Sequence, residues 1–468
     1  MSAWTYEDIR IAIDGAWVIE PKADAIEFAG VAIDTRELSR GQVFFAFAGE
    51  QVDGHEYLRP ACEAGASVCV VSDVCKVASD LGVPVLVVDD ALEAITKLAR
   101  AWRKQLKATV IAITGSNGKT TTCRMVDAVC AQSGSSYCSQ RSFNNALGVP
   151  ITILNTPIDA KYLVAELGTS SPSEIAARAE LIDPDIAVIT SIGSAHLEEL
   201  GDRAGVAREK ASIIHALSPG ASAVVIGGVN ELDAVIEGKE QELNVIRVNS
   251  DRVRVVETDT GFTAFELDGV AFAIPMLGTH NAMNAAMAIE VGRLIGLDDD
   301  SIRIGLKNIE QPKMRFERVE ISTPTEPIVI YNDAYNANPD SMRAALATFD
   351  SLQTKSPKLA ILGDMLELGG HSKTQHQSLV EELARYSSVR RVVLVGKLFS
   401  QTERDAKQVE IVKAADDEAM NTIASMIKPG SCVLLKGSRG IKLERIVDAL
   451  REHHHTRPDS YPKAHTSA

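Results

Sequence analysis

The sequence predicts an α/β protein of three domains: a small N-terminal α/β domain, a central P-loop-type parallel-sheet ATPase domain, and a C-terminal doubly wound α/β domain. Three observations predict it. A length of 468 residues suits about three domains at roughly 150 residues each. Short Val- and Ile-rich runs alternate with helical stretches along most of the chain, the pattern of βα pairs. One stretch, residues 109–130, reads strand, glycine turn, helix without a break.

That stretch organises the rest. Val110 to Ile113 is β-branched at three of four positions and reads as a buried strand. Gly115-Ser116-Asn117-Gly118 is a turn, and from Thr120 onward Met125, Val126, Val129 and Cys130 form one helical stripe. A glycine loop entering a helix directs N–H groups at an anion, and Lys119 adds a full positive charge. Thr120, followed by Thr121, stands where a hydroxyl oxygen can reach Mg²⁺. The loop is a short form, because Ile113 occupies the first glycine position of the longer phosphate-loop pattern. An ordinary turn that happens to contain lysine is the competing reading.

Composition narrows the function classes. A net charge of −15, from 63 acidic against 48 basic residues, argues against non-specific nucleic-acid binding, which needs a basic footprint. It leaves phosphate-bearing small molecules open. Seven cysteines, at 62, 69, 75, 123, 130, 138 and 432, include no Cys-x-x-Cys pair and read as buried thiols of a reducing compartment. No basic-then-apolar leader and no apolar run of about 20 residues is visible, so a cytoplasmic protein with no membrane span is expected.

Taken in order, residues 1–89 form the first unit. A helix is expected over Trp4–Ile13, strands over Phe28–Ile33, Val43–Phe47, Val68–Val71 and Val85–Val88, and a helix through Ala61–Ala66. Asp34, Thr35, Arg36, Asp53, Gly54 and His55 cluster at strand ends, either as ligand contacts or as plain turn residues. The central unit spans 90–313. It opens with a helix over Ala91–Lys104 and continues with strands over Tyr162–Leu167, Ala187–Ile192 and Ala223–Ile226. A helix over Val206–Leu217 carries Lys210, residues 245–275 read as a β-meander, and Asn281–Ile295 as an amphipathic helix. Pro312–Glu317 is a hinge. The third unit, 314–455, carries strands over Ile328–Tyr331, Leu359–Leu362, Arg391–Val395 and Cys432–Leu435. The polar stretch from His453 reads as a tail, with 456–468 outside the domain.

Glu166 and His196 lie at the carboxyl ends of strands in the phosphate-loop sheet, where ligands of open α/β sheets bind. Glu166 can share Mg²⁺ with Thr120. Lys210 is harder to place, because a second lysine beside Lys119 and a metal would repel both. Reaction with CO₂ to a carbamate would turn it into an anionic oxygen ligand for a second Mg²⁺. An exposed helical lysine is the alternative.

Several motifs occur together: Thr114-Gly115-Ser116-Asn117-Gly118-Lys119-Thr120-Thr121, Asn144-Asn145-Ala146-Leu147-Gly148-Val149-Pro150, Glu166-Leu167-Gly168, and Ala195-His196-Leu197-Glu198 leading to Lys210. Gly278-Thr279-His280-Asn281-Ala282-Met283-Asn284, Asp333-Ala334-Tyr335-Asn336-Ala337-Asn338-Pro339, Gly363-Asp364-Met365-Leu366-Glu367-Leu368-Gly369 and Lys436-Gly437-Ser438-Arg439 follow. In this order they resemble the Mur ligase family along nearly the whole chain. They look most like the members that join D-alanyl-D-alanine to UDP-N-acetylmuramoyl-tripeptide in peptidoglycan precursor synthesis.

The resemblance implies ATP and two Mg²⁺ ions as cofactors. It assigns Lys119 and the loop residues Gly115 to Thr121 to the phosphates, Thr120 and Glu166 to one ion, and His196 with a carbamylated Lys210 to the other. Asn281 would contact adenine, Arg315 the nucleotide phosphates from the hinge, and Asp333 the ribose. Asn144 and Asn145 would hold the nucleotide-sugar peptide, Asn336 and Asn338 the incoming dipeptide, and Asp34, Thr35 and Arg36 the UDP end. Asn332 stands where the family has a second Asp, which leaves the ribose to Asp333; Ser194 and its neighbours also depart from the common pattern. The implied reaction is amide formation through an acyl phosphate, by a monomer with no nucleic-acid partner. Two rivals stand beside it. One is a sibling ligase, either folylpolyglutamate synthetase or the enzyme adding the third amino acid. The other is a nucleotide-binding module without catalysis.

Overall fold

The computed structural model describes residues 4–23, 26, 28–49, 52–139, 142–258, 261–403, 409–412 and 416–455. Four sheets carry the architecture. The first orders its strands Ala16–Ile19, Val85–Val87, Val68–Val71, Val43–Phe45, Val31–Ala32. All are parallel except Ala16–Ile19, which runs antiparallel to Val85–Val87. Its opening helix, Tyr6–Ile13, starts at Thr5, whose hydroxyl accepts the Asp8 N–H while Asp8 caps back.

The second sheet is wholly parallel, in the order Asn244–Val248, Ser222–Ile226, Ile186–Ile189, Thr109–Thr114, Tyr162–Glu166, Ser136–Cys138. Thr109–Thr114 sits where the winding reverses direction. The crevice beyond such a strand is the standard ligand position of open α/β sheets. Ile113 pairs with Glu166, and Thr114 with Ile189. The loops after all three strands therefore open on one edge.

The expected meander is present as Val253–Thr258, Thr263–Leu267 and Val270–Ile274, all antiparallel. Residues 244–248 do not belong to it; they extend the parallel sheet beside Ser222–Ile226. The helix Thr279–Leu294 corrects the amphipathic reading. Asn281, Ala282, Asn284 to Gly292 are all buried, because the helix packs both on the Lys119–Cys130 helix and on the meander. Its alanines permit that close approach on two sides. Lys210 lies on the helix Arg203–Ala211, which starts earlier than expected because Asp202 caps it through the Gly205 N–H.

The fourth sheet runs Glu317–Ile321, Ile328–Asp333, Cys432–Lys436, Lys358–Gly363, Val389–Val395, Val409–Val412. Only Glu317–Ile321 is antiparallel. His453 is not the start of a tail, since the helix Arg445–His455 contains it. Residues 456–468 lie outside the described residues. No described helix is long and apolar enough to cross a membrane.

A single apolar cluster joins the first and second sheets. It runs from Ile9, Val43 and Val70 through Ala94, Ile95, Leu98 and Trp102 of the helix Ala91–Arg103 to Val110, Ala112 and Leu163. The third unit has its own clusters on the two faces of the fourth sheet, reached from the centre by Leu277.

Candidate active site

The phosphate loop is built by close approach. Gly115 has φ 148° and Gly118 φ 82°, values that L side chains rarely adopt. A Cβ on Gly115 would lie 2.0 Å from Thr190 Oγ1, and one on Gly118 2.3 Å from Asn284 Oδ1. The loop is laced to the end of the next strand: Ser116 N–H donates to Ser191 O at 2.9 Å, and Asn117 N–H to Ser191 Oγ at 2.8 Å. Gly118 caps the following helix without a side chain, so the first-turn N–H groups remain available to an anion. Lys119 Nζ curls over the loop and donates to Gly115 O at 2.8 Å and Ser116 O at 3.4 Å. Burial holds its pKa below the ordinary lysine value, partly offset by Glu166.

Thr120 is where groups of the central and third units meet. Its hydroxyl donates to Glu166 Oε2 at 2.7 Å and accepts from Arg315 Nη2 at 2.8 Å. Asn144 Nδ2 donates to the other Glu166 oxygen at 2.6 Å. Arg315 lies over the Tyr335 ring at 4.3 Å. It is flanked by Met314 and Phe316, with φ 55° and 56°, so the expected hinge is tightly bent. Asp333 accepts from Phe316 N–H at 3.2 Å and pairs with Lys436 Nζ at 2.7 Å. Sequence reasoning quoted Lys436 in a motif without a role. Almost fully buried in the cavity wall, it neutralises Asp333 and donates to Asn336 O at 3.0 Å.

These groups surround one cavity of about 550 Å³. Ser116 to Thr121, Asn144, Asn145, Glu166, His196, Asn281, Arg315, Asp333, Asn336 and Asn338 all line it. His280, Tyr335 and Glu367 line it too; they were legible only as motif members. Several of the asparagines also carry structural bonds. Asn145 Oδ1 accepts from Gly148 N–H at 2.8 Å, and Asn281 Nδ2 donates to Leu277 O at 2.8 Å. Asn338 caps the helix Pro339–Ser351 and exchanges amide bonds with Asn117 of the phosphate loop, at 2.8 and 3.3 Å.

Lys210 is not the exposed helical lysine of the alternative reading. It is fully buried, and its Nζ has no hydrogen-bond partner. Burial and then Lys119 push its pKa well below the ordinary value, which favours the neutral amine. Such an amine is the nucleophile that CO₂ needs. His196, at φ 57°, pairs through Nδ1 with Glu367 Oε2 at 2.9 Å. That bond holds the Glu367 carboxyl below its usual pKa. Among the described residues no cluster of three or more His, Cys, Asp or Glu side chains could hold a metal. A hydroxyl and a carboxylate completed by nucleotide phosphates is nonetheless a common donor set for Mg²⁺, and Thr120 with Glu166 supplies it.

Asp34, Thr35 and Arg36 stand apart from this cavity, with Asp34 and Arg36 paired at 2.6 Å. Asp53 and His55 have structural work. Asp53 bonds Lys76, which holds its pKa far below the carboxylate range, and also His55 Nδ1 at 2.7 Å, while His55 Nε2 accepts the Ser72 N–H.

Residues 113–292 match the Mur ligase middle domain, 314–439 the Mur ligase glutamate ligase domain, and 27–103 the Mur ligase family catalytic domain. The UDP-N-acetylmuramoyl-tripeptide–D-alanyl-D-alanine ligase of Bacillus subtilis is 34% identical over 462 residues, 96% of this chain and 98% of its own. The chain belongs to the Mur ligase family. Among solved structures it is similar to MurF from Acinetobacter baumannii, with a TM-score of 0.82 at 28% identity, covering 97% of this chain and 99% of that one. MurF from Thermotoga maritima, solved with ADP, matches at a TM-score of 0.74 and 25% identity over 92% and 98%. Both likenesses span all three units, so the family fold extends from the first sheet to the last.

Proposed function

We propose that this Mur ligase adds D-alanyl-D-alanine to UDP-N-acetylmuramoyl-tripeptide at the expense of ATP, acting in the cytoplasm as a monomer in peptidoglycan precursor synthesis. The convergence of Lys119, the Thr120–Glu166 pair and Arg315 on one cavity carries the reading. The name of the Bacillus subtilis relative, matched over almost its full length, supports the choice of substrates. On this reading residues 1–89, with Asp34, Thr35 and Arg36, bind the UDP end. Residues 90–313 hold ATP, residues 314–455 bring the dipeptide, and 456–468 form a tail.

The chemistry joins two anions before it joins an amine. A carboxylate oxygen of the tripeptide attacks the γ-phosphorus and the bond to ADP breaks, leaving an acyl phosphate. The dipeptide amine then attacks the acyl carbon, loses a proton, and expels inorganic phosphate. Lys119 spends donors on loop carbonyls and keeps a third N–H for the phosphates. Arg315 adds a second cation from the hinge, and the loop N–H groups complete the cradle. Together they offset the repulsion between carboxylate and γ-phosphate and align the reacting atoms.

Thr120 and Glu166 would hold one Mg²⁺, and His196 a second together with Lys210 once the latter carries a carbamate. Bound there, the ions would supply further neutralisation of phosphate charge. Asn281 and Asp333 would take adenine and ribose, Asn144 and Asn145 the sugar-peptide, and Asn336 and Asn338 the dipeptide.

ADP release measured with a panel of acceptors tests the proposal. Release that requires both UDP-N-acetylmuramoyl-tripeptide and D-alanyl-D-alanine is expected. Release driven by a folate with glutamate, or by a single amino acid, would move the assignment to a sibling ligase. MgATP binding with no amine-dependent release would leave a non-catalytic module.

A further inference from the structure

The stretch 193–198 follows a strand of the central sheet, yet the third unit grips it at three points. Ser194 N–H donates to Asp340 Oδ2 at 2.7 Å. His196 Nδ1 meets Glu367 Oε2 at 2.9 Å. Gly369 lies so close to Glu198 that a Cβ there would sit 2.9 Å from the Glu198 Cβ. His196 and Glu367 are both left-handed, with φ 57° and 62°, a region that non-glycine residues seldom occupy unless their surroundings impose it. The two strained residues face each other across the cleft and bond through their side chains.

We propose that Glu367 is a positioning residue: from the third unit it fixes the tautomer and direction of the His196 ring, so the imidazole is presented to the nucleotide site only when the third unit is docked. An ionised carboxylate can only accept, so the proton of a neutral imidazole must lie on Nδ1. Nε2 then keeps its lone pair for the site. A carboxylate behind a ligating histidine has this effect on ring orientation and basicity in general. Here the carboxylate comes from a different sheet, which couples docking to site assembly. Asp340 and Gly369 hold the backbone on either side of the ring, and Glu367 holds the ring itself. The role assigned to the imidazole rests on the ligase reading; the clamp itself does not.

The test uses the full chain with ¹⁵N-labelled histidine, the His196 signal among the ten histidines being identified by its loss in His196→Gln. In alkaline buffer the unsubstituted protein is expected to show His196 as the single Nδ1–H tautomer. Glu367→Ala should give a mixture of tautomers and raise the Mg²⁺ concentration for half-maximal ADP release by about tenfold or more, with the KM for D-alanyl-D-alanine little changed. Glu367→Gln, whose amide oxygen accepts the same bond, should restore the tautomer and recover most of the Mg²⁺ response. A Glu367→Ala protein with one tautomer and unchanged Mg²⁺ dependence would overturn the proposal, as would a loss of thermal stability without either change. If the unsubstituted protein releases no ADP, the ligase reading falls and the tautomer measurement still decides the clamp.

Discussion

Between the first and central sheets the contact is apolar and continuous. Trp102 packs against Trp4 at 5.1 Å and Phe28 at 4.7 Å, and its indole N–H donates to Thr156 O at 3.1 Å. Between the central and third sheets the contact is a polar cleft. Asn117 meets Asn338, Ser194 meets Asp340, Thr120 meets Arg315, and His196 meets Glu367. An apolar junction gains by excluding water and has little to gain from opening. A polar junction can exchange each of its bonds for water or for ligand at modest net cost. The difference makes the first junction the rigid one and the second the adaptable one.

Substitutions on the two sides should therefore fail in different ways. Lys119→Ala, in the cleft, is expected to cut turnover by about a hundredfold to a thousandfold or more while circular dichroism and melting temperature stay close to the original. Near-normal turnover would remove the lysine from phosphate binding. Lys210→Ala should lose activity on a similar scale and regain part of it when short carboxylates are added. No regain at any concentration would count against a carbamate. Trp102→Ala, in the apolar junction, is expected to cost about 3–5 kcal/mol of stability, read by denaturant unfolding, with kcat of the folded fraction retained. A kcat loss larger than the stability loss would mean that the first unit is not a passive anchor.

The smallest effect concerns acid stability at the cleft wall. Burial raises the Glu174 pKa, but N–H groups of Ser170 and Ser171 and the Arg178 side chain outweigh it and bring the value down to about 2 from 4.5. A depressed folded-state carboxyl stabilises the protein above the unfolded value and loses that contribution as pH falls toward the folded one. Glu174→Gln should flatten the stability profile between those two values and leave the neutral range unchanged in slope. An identical acid limb in the variant would exclude this carboxylate as its source.

The strands that the sequence does not reveal share one feature. Ala16–Ile19, Ser136–Cys138, Glu317–Ile321 and Val409–Val412 are all edge strands. Where burial is described, they are half-exposed: Ser136–Cys138 and Glu317–Ile321 mix polar with apolar residues, and Ala16–Ile19 is an apolar run of only four residues. The interior strands around Thr109–Thr114 are buried on both faces and show as apolar runs of four residues or more, rich in Val and Ile. The helix Thr279–Leu294 was misread for the opposite reason: buried on nearly every side, it has no polar face to set a period.

Local order in the chain determined the phosphate loop, the strand-end carboxylate and the three-unit division of the fold, because backbone geometry and βα alternation are written in neighbouring residues. Tertiary structure alone decided that Lys210 is a buried, unpartnered amine, that Lys436 neutralises Asp333, and that Glu367 bonds His196. Each of those depends on groups far apart in sequence meeting across a cleft or beneath a sheet. Solvation and pairing are properties of that meeting and not of any residue's own identity.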